Sequence, residues 1–407
     1  MNDLRDRIFW VAREDEIKGG AVTDYYFLNT EQALKAKEMN PLVTMEVYSR
    51  RVPNPDGWGV VTGIYEVAKL LEGLPVDVDA MEEGEVFVTS NDTAAYEPVL
   101  RIRGRYRHFA RFETPVLGLL CSSSGFSTKA ARIRLLAGDK TLLSFGTRRA
   151  HPALSPLIER AAYIAGFDGV SNVLGAKLLG IVGSGTMPHS YILCFGSQQE
   201  AWKAFDDSLP KEVPRIALTD TLYDEKTEAI LALETLGDRL AAVRLDTPST
   251  RRGEWHKMIE EVRWELNMRG GRKVKIFVSG GIDEREVEEL RDIVDGFGVG
   301  TSVSCAPSID FNMKVVEVED ASGKLVPKAK RGDLSGAKDI HRDPKEISDV
   351  IVRAGVPPDE GQESLLTPMI RDGRIIRSFL TVQQLRERVG RRLRVIREHR
   401  PRVRLQF

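Results

Sequence analysis

A chain of 407 residues and 45.5 kDa is long enough for about two or three domains. Its 59 Lys and Arg residues balance 60 Asp and Glu residues to a formal net charge of −1, so no overall field attracts nucleic acid or an anionic membrane. No apolar run approaches the roughly 20 residues that cross a bilayer, and the charged N-terminus has no apolar signal core. We therefore expect a cytoplasmic protein whose partners are small molecules.

Residues 1–111 contain alternating apolar and polar runs without intervening helices, which is typical of strands with one buried face. Residues 308–407 begin with two runs of the same type. These patterns predict one α+β domain built from the N- and C-terminal parts of the chain. The runs are PLVTMEVYSRRV, GEVFVTS and EPVLRIRGRYRHF in the first part, and FNMKVVEVED and GKLVPKAKRG in the second.

Residues 112–307 alternate short apolar runs with amphipathic helical segments. This pattern predicts an α/β fold in which a parallel sheet, wrapped by helices, closes into an irregular β/α barrel. A doubly wound open sheet is the alternative, because alternation does not reveal closure. The runs are TLLSF (141–145), FDGV (167–170), GIVG (180–183), RIALT (215–219), AAVRL (241–245), VKIFV (274–278) and GFGVG (296–300).

The C-terminal tail is basic, with nine arginines between Arg386 and Arg404. Apolar residues recur there at helical spacing, at Leu385, Val389, Leu393 and Ile396. This spacing predicts a terminal helix with one buried stripe and a solvated basic face, in preference to a nucleic-acid surface.

The three cysteines lie far apart, without a histidine at metal-ligand spacing, at Cys121, Cys194 and Cys305. This distribution argues against a structural zinc site and against disulfides, and it predicts three buried free thiols.

Polar residues accompany every apolar run of the predicted barrel, from FGTRR after the first run to GVGTS after the last. Because the carboxyl ends of parallel strands meet at one face, we expect these groups to surround a single crevice. Two consecutive glycine loops there favour phosphate, since their backbone N–H groups can approach an anion and the helix after the first loop offers its positive end. Simple tight turns are the alternative. The loop residues are Ser279, Gly280 and Gly281, then Gly298, Gly300 and Thr301.

Charged residues lie in the same register. Arg244 suits a carboxylate or phosphate, and Asp246, two residues later on the same side of the strand, suits a ribose hydroxyl or a hydrated Mg2+. A structural ion pair is the competing interpretation. Asp220 follows the neighbouring run in the same way, and Asp168 lies within the second run.

An aromatic acid would fit beside the first run, where Phe145 offers a flat apolar face and Arg148 a nearby cation, although Phe145 also suits an ordinary core. His189 follows a glycine-rich turn and faces both phosphate loops. This position favours proton transfer or phosphoryl acceptance over a structural role.

Seven motifs together resemble the archaeal and bacterial nicotinate phosphoribosyltransferases, in order and across about three quarters of the chain. The resemblance implies a type II phosphoribosyltransferase that works as a homodimer with shared active sites. It implies that nicotinate and 5-phosphoribosyl 1-pyrophosphate react, with Mg2+ as a cofactor, to give nicotinate mononucleotide and pyrophosphate in NAD salvage. It also implies that this reaction is coupled to ATP hydrolysis through a phosphohistidine. The motifs are TDYYFLNT, FGTRRAHP, GFDGVSN, GTMPHSY, LDTPSTRRG, SGGID and GFGVGT.

The resemblance also assigns roles to single residues. His189 becomes the phosphoryl acceptor. Tyr26 of the other subunit and Phe145 stack on the two faces of the pyridine ring, while Thr186 and Arg244 contact its carboxylate. The remaining assignments are Arg148 to the phosphates, the glycines of SGGID and GVGT to the ribose phosphate, Asp220 and Asp246 to ribose or Mg2+, and Asp168 to a pocket position.

One departure and two alternatives accompany this hypothesis. Some archaeal relatives carry zinc-binding cysteines in the C-terminal region, whereas KRGDLSGAKDIHRD and the residues after it contain none, so no zinc is expected. The alternatives are a decarboxylating quinolinate phosphoribosyltransferase, which needs no ATP, and a non-catalytic sugar-phosphate-binding barrel protein. Quinolinate has a second carboxylate and would require a more cationic pocket.

Overall fold

A computed structural model describes residues 7–90 and 95–406. The chain divides into two compact units, which we call the first unit (residues 1–128 and 307–407) and the second unit (residues 129–306). Within the described ranges, every helix is too short or too polar to span a lipid bilayer.

The N-terminal part of the first unit alternates helices with short strands, and its last helix, α5, continues into the second unit. The elements are α1 (Glu14–Lys18), α2 (Tyr25–Ala36), β1 (Leu42–Ser49), β2 (Trp58–Val60), α3 (Ile64–Leu71), β3 (Val76–Ala80), β4 (Val86–Val88), β5 (Pro98–Arg105), α4 (Tyr106–Phe109) and α5 (Glu113–Ala137). A 3-10 turn, Ala110–Phe112, joins α4 to α5.

The second unit is made of strands followed by helices. The elements are β6 (Thr141–Ser144), α6 (Ser155–Ile164), β7 (Gly169–Val170), α7 (Val173–Leu179), α8 (His189–Leu193), α9 (Gln198–Ser208), β8 (Arg215–Leu218), α10 (Glu225–Leu236), β9 (Leu240–Leu245), α11 (Trp255–Met268), β10 (Lys275–Val278), α12 (Glu284–Leu290), β11 (Gly296–Val299) and α13 (Thr301–Ser304). Short 3-10 helices occupy Thr147–Arg149, Pro152–Leu154 and Gly237–Arg239.

The chain then returns to the first unit, mainly as strands. The elements are β12 (Phe311–Glu319), β13 (Leu325–Pro327), β14 (Lys338–Asp343), β15 (Ser348–Arg353), β16 (Glu363–Ser364), β17 (Thr367–Arg371), β18 (Arg374–Ile375), α14 (Val382–Glu398) and β19 (Arg402–Leu405).

The main sheet of the first unit joins both ends of the chain. Its seven strands run in the order β13-β12-β1-β5-β3-β17-β18, and β1 pairs antiparallel with β5 on one side and β12 on the other. Met45 of β1 therefore lies between Ile102 and Val315. Helix α3 packs an apolar stripe into the core beneath this sheet, because its buried residues recur every three to four positions. The predicted α+β domain from both chain ends is confirmed.

The sheet of the second unit contains six parallel strands in the order β7-β6-β11-β10-β9-β8. It curls into a partial barrel, and the predicted irregular α/β barrel is confirmed as the fold class. Helix α10 illustrates how the sequence sets the helical boundaries: the side chain of Asp224 accepts the Thr227 N–H at its start, and Gly237 follows its last residue.

The predicted third strand, GIVG at residues 180–183, is absent, and this prediction is wrong. Gly180 ends α7 with φ +68°, and Val182 is 90% exposed in an irregular loop that reaches residue 188. Gly183 and Gly185 follow closely in the same loop. Glycines lack the side chains that a buried strand packs and lose more entropy on ordering, which disfavours a strand here, and the exposed Val182 does not pack into the core.

The basic tail forms the predicted helix, α14, which buries Leu385, Val389 and Leu393, with Ile396 half-buried. Its basic face is not wholly solvated, because Arg388 and Arg392 bind the buried carboxylate of Glu85.

The prediction of three buried cysteines is wrong. Cys121 is half-buried, whereas Cys194 and Cys305 are exposed. Cys194 and Cys305 each directly follow the last residue of a short helix, α8 and α13, whereas Cys121 lies within α5.

Candidate active site

A cavity of about 510 Å3 opens at the carboxyl edge of the parallel sheet. The strand ends β6, β9, β10 and β11 and the loop before α8 supply its walls, as expected for the functional face of a β/α fold. Twelve residues selected from the sequence line it: Phe145, Arg148, Thr186, His189, Arg244, Asp246, Ser279, Gly280, Gly281, Gly298, Gly300 and Thr301.

A flat ring and a guanidinium form one wall of the cavity. Phe145 follows β6, and its backbone N–H donates to the carbonyl of Val299 at 2.8 Å. The guanidinium carbon of Arg244 lies 5.7 Å from the centroid of the Phe145 ring. Gly298 makes room for this ring, since a Cβ there would lie 2.5 Å from Cδ2 of Phe145.

Arg244 retains donors for an anion. Its Nη2 donates to the carbonyl of Met187 at 3.4 Å, while its buried Nε has no hydrogen-bond partner among the described residues. Burial lowers the pKa of Arg244. A desolvated guanidinium with an open donor beside an aromatic face suits a planar aromatic carboxylate.

His189 is the first residue of α8, and its ring is held between a hydroxyl and two carboxylates. Nδ1 lies 3.1 Å from Oγ1 of Thr221. Nε2 lies 3.6 Å from Oδ2 of Asp246 and 3.7 Å from Oδ1 of Asp220. Asp220 follows β8. Its contact with His189 places it at the edge of the cavity.

The surroundings shift the pKa of all three groups. Interaction with Asp246 raises the pKa of His189, and the charge of Asp220 adds to this effect against the opposing effect of burial. Burial raises the pKa of Asp220 to about 6. Burial also acts to raise the pKa of Asp246, but bonds with His189 and Ser279 outweigh it and lower that pKa. Perturbed acid and base groups at one cavity are typical of active sites.

The first glycine loop is tied to this cluster. Oγ of Ser279 donates to Oδ1 of Asp246 at 2.7 Å. Gly280 has φ +85°, and a Cβ there would lie 2.9 Å from the carbonyl oxygen of Asp246. Gly281 continues with φ +76°. Only glycine fits this left-handed turn without strain, which leaves its backbone open to a ligand.

The helix after this loop does not offer the free positive end that the sequence suggested. The side chain of Asp283 caps α12, and Glu286 completes a capping box. These carboxylates already occupy the N-terminal end of the helix, so positive charge for an anion must come from elsewhere.

The second glycine loop packs closely on the loop after β6. A Cβ on Gly146 would lie 2.5 Å from the carbonyl oxygen of Gly300. Thr301 begins α13 and is exposed, and Arg148 is exposed on the neighbouring 3-10 helix. Exposed cations and open backbone therefore lie side by side at this end of the cavity.

Comparisons with known proteins identify the family of this chain. Residues 24–124 match the N-terminal domain, and residues 126–314 the C-terminal domain, of the quinolinate phosphoribosyl transferases. A nicotinate-nucleotide pyrophosphorylase from Pyrococcus furiosus has a crystal structure with 48% identity and a TM-score of 0.90, covering 96% of this chain and 98% of its own. The chain belongs to the type II phosphoribosyltransferase family.

Two further relatives are named for nicotinate. A nicotinate phosphoribosyltransferase of Mycobacterium tuberculosis is 29% identical, with 88% of this chain and 87% of the relative covered. The human nicotinic acid phosphoribosyltransferase structure covers 95% of this chain and 97% of its own, with a TM-score of 0.72 at 20% identity, and so supports the fold alone. This phosphoribosyltransferase is thus an enzyme, and the non-catalytic alternative is set aside.

One assigned residue of this phosphoribosyltransferase lies at the wrong edge of the sheet. Asp168 precedes β7, its backbone N–H donates to the carbonyl of Leu142, and its Oδ2 accepts from the Leu142 N–H at 2.9 Å. Nη2 of Arg134 lies 2.6 Å from the same oxygen. Leu142 is near the start of β6, so Asp168 joins the amino ends of two strands, and its predicted pocket role is wrong.

Tyr26 belongs to the first unit, on α2, where it is 56% exposed. Its predicted contact with the pyridine ring of the other subunit stays a prediction.

Several polar residues of the site were not selected from the sequence, among them Ser171 and Ser190, which line the cavity. Arg149 lines the cavity beside Arg148, Thr221 contacts His189, and Arg252 packs near Gly281. The doubled arginines of FGTRR and LDTPSTRRG, and the second threonine of TDT, were visible signals. A doubled residue does not reveal which side chain turns inward, and the structure brings both Arg148 and Arg149 to the cavity but only Arg252 of the second pair beside Gly281.

The site fits Mg2+ better than zinc. Oδ1 of Asp220 is buried without a hydrogen-bond partner, and Oδ2 of Asp246 faces the same imidazole. One or two carboxylates with substrate phosphates and water make the usual magnesium site. Among residues 7–90 and 95–406, no group of three or more His, Cys, Asp or Glu side chains is arranged to hold a metal by itself.

Proposed function

We propose that this enzyme joins nicotinate to 5-phosphoribosyl 1-pyrophosphate in NAD biosynthesis, forming nicotinate mononucleotide and pyrophosphate. The pyridine nitrogen attacks C1 of the ribose, and the bond from C1 to the pyrophosphate oxygen breaks. The observation that carries this proposal is Arg244 above the Phe145 ring, at 5.7 Å, beside Thr186 in the cavity. A flat apolar face beside a cation suits the ring and the carboxylate of a pyridine acid.

The cavity also contains groups that would bind the phosphates of 5-phosphoribosyl 1-pyrophosphate. The loops of Ser279, Gly280 and Gly281 and of Gly298, Gly300 and Thr301 offer open backbone for the ribose phosphate, and Arg148 offers a cation. Asp220 and Asp246 would hold Mg2+, with Asp246 also suited to a ribose hydroxyl. When bound, Mg2+ neutralises charge on the leaving pyrophosphate.

ATP coupling is the second part of the proposal. In the neutral tautomer that donates Nδ1–H to Thr221, Nε2 of His189 has a free lone pair. Nε2 attacks the γ-phosphorus of ATP, and the bond to the bridging oxygen breaks as ADP leaves. Water later attacks that phosphorus, the N–P bond breaks, and phosphate and free imidazole result. In this form the enzyme also belongs to the ligase class.

We also propose a homodimer with shared active sites. The exposed aromatic side chain of Tyr26 would complete the pyridine site of the partner, opposite Phe145. Tyrosine is enriched among the residues that contribute most to binding at protein interfaces.

Quinolinate is the second candidate substrate. It is favoured by the 48% identity to a nicotinate-nucleotide pyrophosphorylase and by Arg149, an additional guanidinium in the cavity. A second pyridine carboxylate would require a second cation of this kind.

Product assays separate these candidates. The purified protein is given 5-phosphoribosyl 1-pyrophosphate, Mg2+ and either nicotinate, nicotinamide or quinolinate, with and without ATP, and the mononucleotide is measured. We expect product from nicotinate, with ATP raising the rate. His189→Ala should abolish the ATP effect, whereas His256→Ala, which changes an exposed histidine on α11, should retain it.

Product from quinolinate alone, with release of CO2 and no response to ATP, would overturn both the substrate and the phosphohistidine. Retention of the ATP effect in His189→Ala would overturn the phosphohistidine only. Size-exclusion chromatography with light scattering tests the dimer, and a monomeric active enzyme would contradict shared sites.

A further inference from the structure

Arg252, in the loop between β9 and α11, is held by two contacts beside the first glycine loop. Its Nε donates to the carbonyl of Thr247 at 2.8 Å, and its guanidinium carbon lies 3.8 Å from the centroid of the Trp255 ring. Its Nη2 is buried and has no hydrogen-bond partner among the described residues. A Cβ on Gly281 would lie 3.4 Å from this nitrogen.

The buried, unpaired Nη2 of Arg252 costs free energy unless an anion accepts a hydrogen bond from it. Burying donors of a guanidinium without partners costs free energy, and a nearby phosphate would recover that cost through charge-assisted hydrogen bonds. Stacking on Trp255 holds the planar group without using its donors. Asp246 and Glu286 provide partial countercharge to Arg252, but neither provides the missing hydrogen bond to Nη2.

Among the described residues, the positive charges on and beside α12, the helix after the first glycine loop, are paired with carboxylates. Three carboxylates occupy the start of α12, on Asp283, Glu284 and Glu286. The cations of α5 that face this helix are already paired: Lys129 lies 2.6 Å from Asp283, and Arg132 lies 2.9 Å from Glu284. A phosphate dianion at Gly280 and Gly281 would therefore gain a nearby cation from Arg252 in the β9 loop, in addition to Arg148 and Arg244, which line the same cavity.

We propose that Arg252, positioned by Trp255, is the cation that binds the phosphate monoester of a sugar phosphate seated at Gly280 and Gly281. The inference rests on the proposed function and deepens it by assigning a residue to the phosphate subsite. It predicts that Arg252 acts on the sugar phosphate and not on the pyridine acid, because its donor lies beside Gly281 and not beside Phe145.

Ribose 5-phosphate is the probe, since it carries one phosphate monoester and no pyrophosphate. Isothermal titration calorimetry on the full chain compares the native protein with Arg252→Gln, Arg252→Lys and Arg251→Gln. Loss of a charge-assisted contact should weaken the binding of ribose 5-phosphate to Arg252→Gln by about tenfold or more. The affinity of Arg252→Lys should lie between those of the native protein and Arg252→Gln. Arg251 is the matched control because it is exposed and adjacent in sequence, and its substitution should leave affinity unchanged.

Steady-state kinetics provide the second measurement. Arg252→Gln should raise the KM for 5-phosphoribosyl 1-pyrophosphate by about tenfold, with kcat and the KM for nicotinate little changed. Melting curves verify that each variant is folded, and Arg252→Lys keeps the test valid if Arg252→Gln does not fold.

The failures of the two proposals are distinguishable. Native affinity for ribose 5-phosphate in Arg252→Gln would overturn the role of Arg252 while nicotinate turnover continues. A native protein that binds neither ribose 5-phosphate nor 5-phosphoribosyl 1-pyrophosphate would overturn both. Weakened sugar-phosphate binding in Arg252→Gln, in a protein that turns over quinolinate only, would support Arg252 and overturn the nicotinate assignment.

Discussion

Nε2 of His189 lies 3.7 Å from Oδ1 of Asp220, a buried oxygen without a hydrogen-bond partner among the described residues. Asp246 first, and Asp220 after it, raise the pKa of His189, while burial raises the pKa of Asp220 to about 6. A charged imidazole and a charged carboxylate therefore stabilise each other, and the pair titrates as a unit. The charges of Asp246 and Asp220 together therefore favour the imidazolium form of His189 over the neutral nucleophile.

The first prediction is that Asp220→Asn lowers the pKa of His189, because the substitution removes a negative charge that favours the imidazolium. The midpoint of the His189 Cε1–H resonance in an NMR titration should move to lower pH. Loss of that resonance in His189→Ala identifies it. Asp224→Asn, which changes the exposed cap of α10, should leave the midpoint in place, and an unchanged midpoint in Asp220→Asn would refute the coupling.

The second prediction concerns the space that Gly298 leaves for Phe145. An alanine there would place Cβ 2.5 Å from Cδ2 of the ring, so Gly298→Ala should destabilise the protein by about 1–3 kcal/mol, as overpacking does. Displacement of the ring should also raise the KM for nicotinate. Urea unfolding followed by circular dichroism measures the first effect.

A double-mutant cycle tests the cause of that loss. Phe145→Leu removes the clashing ring edge, so its combination with Gly298→Ala should cost less than the sum of the two single changes. Strict additivity would show that the ring is not what the alanine meets.

The third prediction is a pH dependence of stability at Glu113, the first residue of α5. Burial raises the pKa of Glu113 to about 7, with Lys314 opposing and Asp24 adding. The folded state thus binds the proton more tightly than the unfolded state, whose value is 4.5. The stabilisation is full below about pH 4.5 and is lost as the pH rises through 7.

Glu113→Gln should therefore change stability little at pH 4.5 and increase the free energy of unfolding by about 2 kcal/mol at pH 8. Denaturant unfolding at both pH values measures this difference. Glu14→Gln is the control, since Glu14 is also the first residue of a helix but is exposed, and its effect should not vary with pH. The same effect of Glu113→Gln at both pH values would contradict the raised pKa.

The sequence predicted correctly those residues of the site that lie at the carboxyl ends of parallel strands. Phe145 and Ser279 directly follow apolar strands, Arg244 is the next-to-last residue of one, and parallel strands bring their carboxyl ends to one edge. Asp168 does not follow this rule because it precedes its strand, β7. That strand has only two residues, which is too short for the sequence to show which end faces the cavity. The strand predicted around Val182 was wrong for a different reason. An apolar residue in a run usually indicates a buried strand, but the glycines beside Val182 have no side chains to pack with it.

Contacts between distant segments could not be predicted in this way. Arg252 is oriented by Trp255 and Thr247 through loop geometry that has no periodicity. Glu85 and Arg342 are far apart in the sequence, and an acid within a strand pattern gives no sign of its partner. Side-chain pairing of this kind depends on tertiary packing, which the pattern of single segments does not contain.

The last prediction follows from that buried network in the first unit. Arg342 is fully buried, with Nη1 2.7 Å from Oε1 of Glu85 and Nε 2.7 Å from Oδ1 of Asp349. Arg388 and Arg392 also bind Glu85. Burial alone would raise the pKa of Glu85, but these arginines, led by Arg342, hold it at about 2. Arg342→Met would leave Asp349 charged without its partner and should cost about 3–5 kcal/mol of unfolding free energy.

Urea unfolding at pH 7 measures this cost, with Arg402→Gln as the control. Arg402 pairs with Glu346 on the surface, where solvent screens the charges, so its loss should cost less than about 1 kcal/mol. Equal effects of the two substitutions would mean that Arg342 contributes no more than a surface pair. A large loss in Arg342→Met, reduced when Asp349→Asn is added, would show that the uncompensated carboxylate causes the instability, because the second change removes that charge.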